Sequence, residues 1–185
     1  MRTPLDVLAG AAESDSIVPL FVHAHPDDET VQTGSLLAWL AAQGLPVSVL
    51  TCTRGEQGEI VSGVLPASTT ADELVRVREA ELAHAIETLG VAASYFLGTP
   101  PARAAGLGRR DYHDSGMRWV AEGLAGPADI DDPDTFTASR LDDEVADLLA
   151  LIDRVRPTVV VGYDRLGSYG HPDHVRAHEL AAVAA

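Results

Sequence analysis

The chain has 185 residues, 46% of them hydrophobic, which suits one globular domain over residues 1–185 better than two. Thirteen Lys and Arg against 28 Asp and Glu give a formal net charge of −15, which repels phosphate backbones and anionic lipid and so speaks against nucleic-acid and membrane-surface roles. The single cysteine, Cys52, forms no internal disulfide and no thiolate metal site alone, so any metal has to be held by His, Asp or Glu.

The start, Met1-Arg2-Thr3-Pro4 followed by acidic Asp6, Glu13 and Asp15, lacks a signal-peptide layout, and no apolar run approaches the ~18 residues of a spanning helix. A soluble, cytoplasmic protein is expected. Ile17 to His25 reads as a buried strand, Val31 to Gln43 as a helix stopped by Gly44, and Pro46 to Thr53 as a second buried strand. Ala71 to Leu89 carries Leu82, Ala85, Ile86 and Leu89 at helical spacing before Gly90, and a short strand comes next at Tyr95 to Leu97. Leu141, Val145, Leu148, Leu149, Ile152 and Val155 form another helical stripe, ended by Pro157 and succeeded by a strand over Thr158 to Tyr163. This alternation predicts an α/β, Rossmann-like fold with a mainly parallel sheet flanked by helices. Arg54 to Thr70 and Gly98 to Arg140 break the rhythm and read as long irregular loops. The chain stops at Ala185 inside a helix-like run, so further residues are expected after it.

His25-Pro26-Asp27-Asp28-Glu29 comes directly after the first strand, and His171-Pro172-Asp173-His174 after the last, each entering a helix. Both therefore lie at the C-terminal edge of the sheet, where open parallel sheets bind ligands. A catalytic zinc takes three N or O ligands and keeps one position for water. His25 and Asp28 make a local pair and His174 supplies the distant third ligand; such a His2Asp set also accepts Fe(II) and other divalent ions. Asp27 then remains adjacent and uncoordinated, placed to take a proton from water as general base. His171 faces the same crevice, as an oxyanion stabiliser or as the acid that protonates a leaving amine, and Asp173 serves to orient an imidazole. An acid at a helix start also works simply as a cap, but capping alone does not require two His-Pro-Asp tripeptides at two strand ends.

Other candidates read as structural. His23 is a hydrogen-bonded strand histidine, His178 sits four residues after His174 with a supporting role, His84 is a solvated helix residue, and Cys52 is a buried, inert thiol. Gly106-Leu107-Gly108 comes after no strand and opens no helix, so no phosphate-cradling loop is present.

With these residues in view, Ala24 to Glu29 and Gly170 to His174 resemble the two motifs of the zinc-dependent N-deacetylases of the PIG-L/LmbE type. The resemblance runs from about Leu20 to Ala185. Thr51-Cys52-Thr53-Arg54-Gly55-Glu56-Gln57-Gly58-Glu59 and Asp114-Ser115-Gly116-Met117 bring it nearest to the mycothiol-pathway branch, whose members act on N-acetylglucosaminyl-inositol or on S-conjugates of the same scaffold. It implies zinc on His25, Asp28 and His174, Asp27 as base, and His171 as oxyanion stabiliser. It further implies Tyr169 as a hydrogen-bond donor to the tetrahedral intermediate, Asp173 as the acid that tunes a catalytic histidine, and Arg78 and Asp114 as contacts to sugar or inositol hydroxyls. The activity implied is removal of the N-acetyl group from an amino sugar, a small-molecule substrate. An S-conjugate amidase, or a metal-bound carbohydrate-binding module without turnover, stand as alternatives. Thr99 to Arg110 and Ala128 to Asp134 match no pattern of the family, and the family's C-terminal portion, which completes the pocket, is expected beyond Ala185.

Overall fold

A computed structural model describes residues 17–184. The N-terminal segment that lacks a signal-peptide layout, and Ala185, lie outside these residues. Four parallel strands form the sheet, in the order β3-β2-β1-β6. They are β1 (Pro19–His23), β2 (Ser48–Thr51), β3 (Ala93–Phe96) and β6 (Val159–Val161). β1 pairs with β2 from Leu20↔Ser48 to His23↔Thr51 and with β6 from Pro19↔Val159 to Phe21↔Val161. β1 and β2 are buried throughout, as expected of central strands covered on both faces, whereas β3 and β6 are partly exposed edges.

The period-two alternation of β1 divides the core. Leu20, Val22 and Ala24 join Leu50, Leu148, Leu151 and Leu180 on one face, while Phe21 joins Val49, Leu37 and Leu40 on the other. The first face is covered by α4 (Leu141–Val155) and α6 (Pro172–Ala184), the second by α2 (Gly34–Ala42) and α3 (Ala71–Leu89). Truncating a side chain such as Leu37 or Leu151, both fully buried, costs ~2–5 kcal/mol, so this three-layer arrangement is the firm part of the molecule. α3 starts in a capping box, Thr70 accepting from Glu73 N while the Glu73 carboxylate accepts from Thr70 N, and ends at Gly90 with φ 73°.

Two sequence readings need correction. The helix expected over Val31 to Gln43 is two pieces, a single turn α1 (Asp28–Val31) and α2, interrupted at Gln32 and Thr33. His23 Nε2 and the Glu29 carbonyl both meet the Thr33 hydroxyl at this break. The segment Gly98 to Arg140 is also not irregular throughout: β4 (Met117–Ala121) and β5 (Leu124–Pro127) form an antiparallel ribbon with a bulge between Trp119 and Ala121. The loop before the ribbon is tied to α4 through buried Asp147, which accepts from Arg103 Nη1 (2.9 Å), Ala104 N (2.7 Å) and Tyr112 OH (2.8 Å). A short turn of helix, α5 (Gly167–Gly170), joins β6 to α6. No helix among the described residues is long and apolar enough to cross a membrane.

Candidate metal centre

The end of β1 is fixed before the motif begins. Cys52 N and Thr53 N donate to the carbonyls of His23 and Ala24, continuing the β2 ladder, and Ala24 N donates to the hydroxyl of Tyr163, two residues after β6. From there the chain turns at once. Asp27 adopts φ 107°, its carbonyl accepts from Thr30 N and Val31 N, and its side chain caps nothing. The carboxylate instead points out, 56% exposed, and pairs with Arg78 Nη1 at 2.7 Å. Arg78 also donates to the Pro26 carbonyl, so an arginine on α3 holds both residues of the turn.

Asp28 is turned inward. Its Oδ2 accepts from His25 N (2.9 Å) and Tyr163 OH (2.6 Å) and lies 3.3 Å from His25 Nδ1 and 3.4 Å from His174 Nε2. One carboxylate oxygen thus reaches a histidine of each motif. Burial alone would push this carboxyl up, but His174 and His25 hold it far below the usual carboxylate range. The other side of the His25 ring meets acids too, with Nε2 3.1 Å from Asp173 Oδ2 and 3.6 Å from Asp114 Oδ1. Burial pulls His25 down; Asp114, Asp173 and Asp28 outweigh it and raise the imidazole well above its ordinary value. Three carboxylates around one buried ring make a place that favours positive charge.

His174 sits at the centre of an aromatic stack. Its ring lies flat against Tyr163 at 4.3 Å and 16° and against His171 at 4.8 Å and 24°. It is buried, and neither ring nitrogen has a hydrogen-bond partner among the described residues. Orphaned buried nitrogens are costly in a finished core, and they are what a metal ligand looks like before its ion is counted. The donor set, two imidazoles and a carboxylate, fits a borderline divalent ion such as zinc. Close third donors are also present. Ligand atoms of His25, His171 and His174 lie within 4.8 Å of one another, as do those of His25, Asp114 and Asp173.

A cavity of about 600 Å³ opens over this floor. Of the residues singled out in the sequence, His25, Asp27, Asp28, Arg78, Asp114 and His171 line it, together with Tyr169, while His174 and Asp173 lie buried behind its surface. His171 Nδ1 accepts from Asp173 N, which leaves the ring proton on Nε2. Burial, and then the neighbouring His25, lower His171 to about 4, so it is a neutral N–H donor at neutral pH. Tyr169 is half-buried, and burial together with Asp28 raises its phenol, which keeps its proton. Asp114 is built into the wall: its Oδ1 accepts from Gly116 N and its Oδ2 from Gln57 N. Asp173 is fully buried and serves His25 of the other motif, while its Oδ2 also accepts from Ser115 N.

The residues read as structural are elsewhere. His23 contacts Thr33, and burial lowers it to about 4. His178 Nδ1 donates to the Tyr163 carbonyl, His84 is exposed on α3, and burial together with Glu144 pushes the Cys52 thiol up. Sequence reading missed three contributors. Tyr163 entered it only as a strand end; its hydroxyl meets Ala24 N and Asp28 Oδ2, contacts that no local pattern announces. Gly58 matters because a Cβ there would stand 2.5 Å from Arg78 Nη2, so glycine leaves room for the guanidinium that reaches Asp27. Arg54 is buried over the Phe96 ring at 4.6 Å and bridges Asp111, which ties the loop after β2 to the loop after β3.

The family described as PIG-L: GlcNAc-PI de-N-acetylase matches residues 20–185. A 1D-myo-inositol 2-acetamido-2-deoxy-alpha-D-glucopyranoside deacetylase from Actinosynnema mirum is 46% identical over 170 residues, covering 90% of this chain and 54% of that protein. Among solved structures, an N,N'-diacetylchitobiose deacetylase from Pyrococcus horikoshii shares the fold with TM-score 0.64 at 20% identity, covering 100% of this chain and 59% of its own. A zinc inhibited form of teicoplanin deacetylase Orf2 is 27% identical with TM-score 0.55, covering 90% of this chain and 62% of that one. The chain spans about half the length of the first of these relatives. The match over most of its residues, at the motifs that build the cavity floor, means that the chain belongs to the PIG-L family of GlcNAc-PI de-N-acetylases.

Proposed function

We propose that the protein is a metal-dependent hydrolase that removes the N-acetyl group from an amino sugar, with N-acetylglucosaminyl-inositol as substrate and zinc as the ion. The reading rests on His25 and Asp28 at the floor of one cavity, with His174 buried behind it and 3.4 Å from Asp28, and on a solvent-facing Asp27 in the cavity wall. The similarity to the inositol-sugar deacetylase of Actinosynnema mirum supports the substrate.

His25, Asp28 and His174 would hold the ion, which when bound polarises the amide carbonyl and makes water acidic enough to attack it. Asp27 takes the proton from the attacking water and returns it to the leaving amine, so that acetate and a free amine are the products. Arg78 keeps the Asp27 carboxylate at the cavity wall. His171, neutral with its proton on Nε2, donates to the oxygen on which negative charge develops, and Tyr169 supports it from the adjoining turn. Asp173 accepts from His25 Nε2, which fixes the ring so that Nδ1 faces Asp28. Asp114 and Arg78, in the wall beside His25 and Asp27, contact sugar hydroxyls.

The test is release of primary amine from N-acetylglucosaminyl-inositol by zinc-loaded protein, with Asp27→Asn alongside. Release in the parent and its loss in the variant, at equal zinc content, supports both the reaction and the base. A folded, zinc-loaded protein that returns the sugar unchanged overturns the hydrolase reading for this chain.

A further inference from the structure

Trp119 is the largest side chain at the cavity wall that the proposed hydrolysis leaves without work. It is 60% exposed, although a tryptophan has more apolar surface to bury than other side chains. It stands on β4 two residues after Met117, so both lie on one face of the ribbon, and both border the cavity. The indole lies 5.7 Å from the Tyr169 ring at 35°. Tyr169 stands edge-on to His174 at 5.3 Å and to His171 at 6.1 Å. From the metal centre outward the wall therefore runs from imidazoles to a half-buried phenol and then to an open indole, one ring further out.

The frame that presents this indole is fixed. Ala125, the partner of Trp119 across the ladder, packs against the turn that carries Tyr169, so closely that a Cβ on Gly170 would stand 2.9 Å from the Ala125 carbonyl. On the ribbon itself, Val120 lies over Gly126, where a Cβ would come within 2.8 Å of Val120 Cγ1. Trp119 and Tyr169 thus keep their relation to each other without being in one segment of chain. Arg118, between Met117 and Trp119, also borders the cavity, and its Nε donates to the Pro127 carbonyl, tying β4 to the end of β5.

Resting on the deacetylase reading, we propose that Trp119 is a specificity-determining platform for a second ring of the substrate. Saturated carbohydrate and cyclitol rings carry hydroxyls around their rim and C–H groups on their faces. An exposed indole takes such a face and leaves the rim hydroxyls to water and polar groups. With the acetamido sugar at the metal centre, the ring joined to it falls at Trp119. The chain accordingly selects two-ring glycosides over the free amino sugar, and it does so on the ribbon, away from the reacting atoms.

The experiment compares affinities for the unreactive products glucosaminyl-inositol and methyl glucosaminide by calorimetric titration of the zinc-loaded chain, beside amine release from the corresponding N-acetyl compounds. The parent is expected to bind the two-ring compound about 5- to 10-fold more tightly, the range that one aromatic stacking contact supplies. Trp119→Ala is expected to bring the two affinities within about 2-fold by weakening only the two-ring compound, and Trp119→Phe to keep most of the preference. A preference that survives Trp119→Ala, or a parent that does not discriminate or binds neither compound, overturns the platform. Discrimination without amine release overturns the deacetylase reading and leaves the platform standing. Amine release with an unaltered ratio of KM values in Trp119→Ala overturns the platform alone.

Discussion

The tripeptide His-Pro-Asp occurs twice, and the two copies place their aspartates in opposite surroundings. His25-Pro26-Asp27 leads into α1, a single turn, and Asp27 adopts φ 107° with its carboxylate directed to the cavity. His171-Pro172-Asp173 leads into α6, thirteen residues long and anchored in the core by Ala177 and Leu180, whose first turn carries Asp173 into the interior. The acid of the second copy serves the histidine of the first, Asp173 Oδ2 meeting His25 Nε2, while Asp28 of the first copy reaches His174 of the second. The element after each motif, a short turn that breaks or a long helix that packs, decides whether its acid faces solvent or core. Identical tripeptides thereby take up unlike tasks, and the two sites become one because each copy completes the other.

Exchanging acid for amide at each copy should separate those tasks. Asp27→Asn is expected to lower amine release by ~10²–10⁴-fold with zinc content unchanged, since only proton transfer is removed. Asp173→Asn should act through His25 and weaken zinc binding by ~10–100-fold, read by competition with a chelator, with activity partly recovered at higher zinc. Equal loss of zinc in both variants would erase the distinction between the copies.

Metal loading tests the cross-connection. Zinc at 100 times its Kd stabilises a protein that binds it only when folded by about 2.7 kcal/mol, a melting shift of several degrees. His174→Ala should abolish the shift, and a shift that persists would remove the second copy from the ligand set. The second copy also has a buried acid near it. Glu144 on α4 is fully buried, its nearest cation Arg176 Nε at 3.4 Å, and burial pushes its carboxyl up to about 8 against the pull of Arg176. The folded protein thus holds this proton more tightly than the unfolded chain, whose carboxyl titrates at 4.5. The stabilisation is complete below that value and is lost as pH rises through about 8. Melting temperatures at pH 5 and pH 8 should converge in Glu144→Gln. The smallest effect belongs to the first copy: because Asp27 has positive φ, Asp27→Gly should melt above Asp27→Ala by ~1 kcal/mol.

The parallel sheet was legible because β1 and β2 are short, mainly apolar runs and each ends at a break, and the candidate site because its histidines and acids are held by two compact motifs. The ribbon β4–β5 was not. Trp119, Val120 and Leu124 are exposed, so its apolar residues do not alternate with polar ones as in a half-buried strand, and its bulge shifts the pairing. The break between α1 and α2 was hidden because Val31 and Gln32 fit a helical pattern locally, whereas the contact that ends the turn, His23 with Thr33, reaches across ten residues. Tyr163 was hidden for a similar reason. Its partners Asp28 and Ala24 lie about 140 positions earlier and meet it only through the β1–β6 pairing. Sequence motifs report which atoms do chemistry; the atoms that aim them come from elsewhere in the chain.

The imidazole of His174, held flat between the rings of Tyr163 and His171, has consequences for how an ion is taken up. A ring so confined loses its rotational freedom when the chain folds, and none of that entropy remains to be lost when a cation arrives. With His174 in the proposed ligand set, capture should then be governed by stripping water from the incoming ion rather than by waiting for a side chain to swing into place. One divalent ion should replace another without rearranging the stack, so the rate of exchange reports the hydration of the ion and not the motion of the protein.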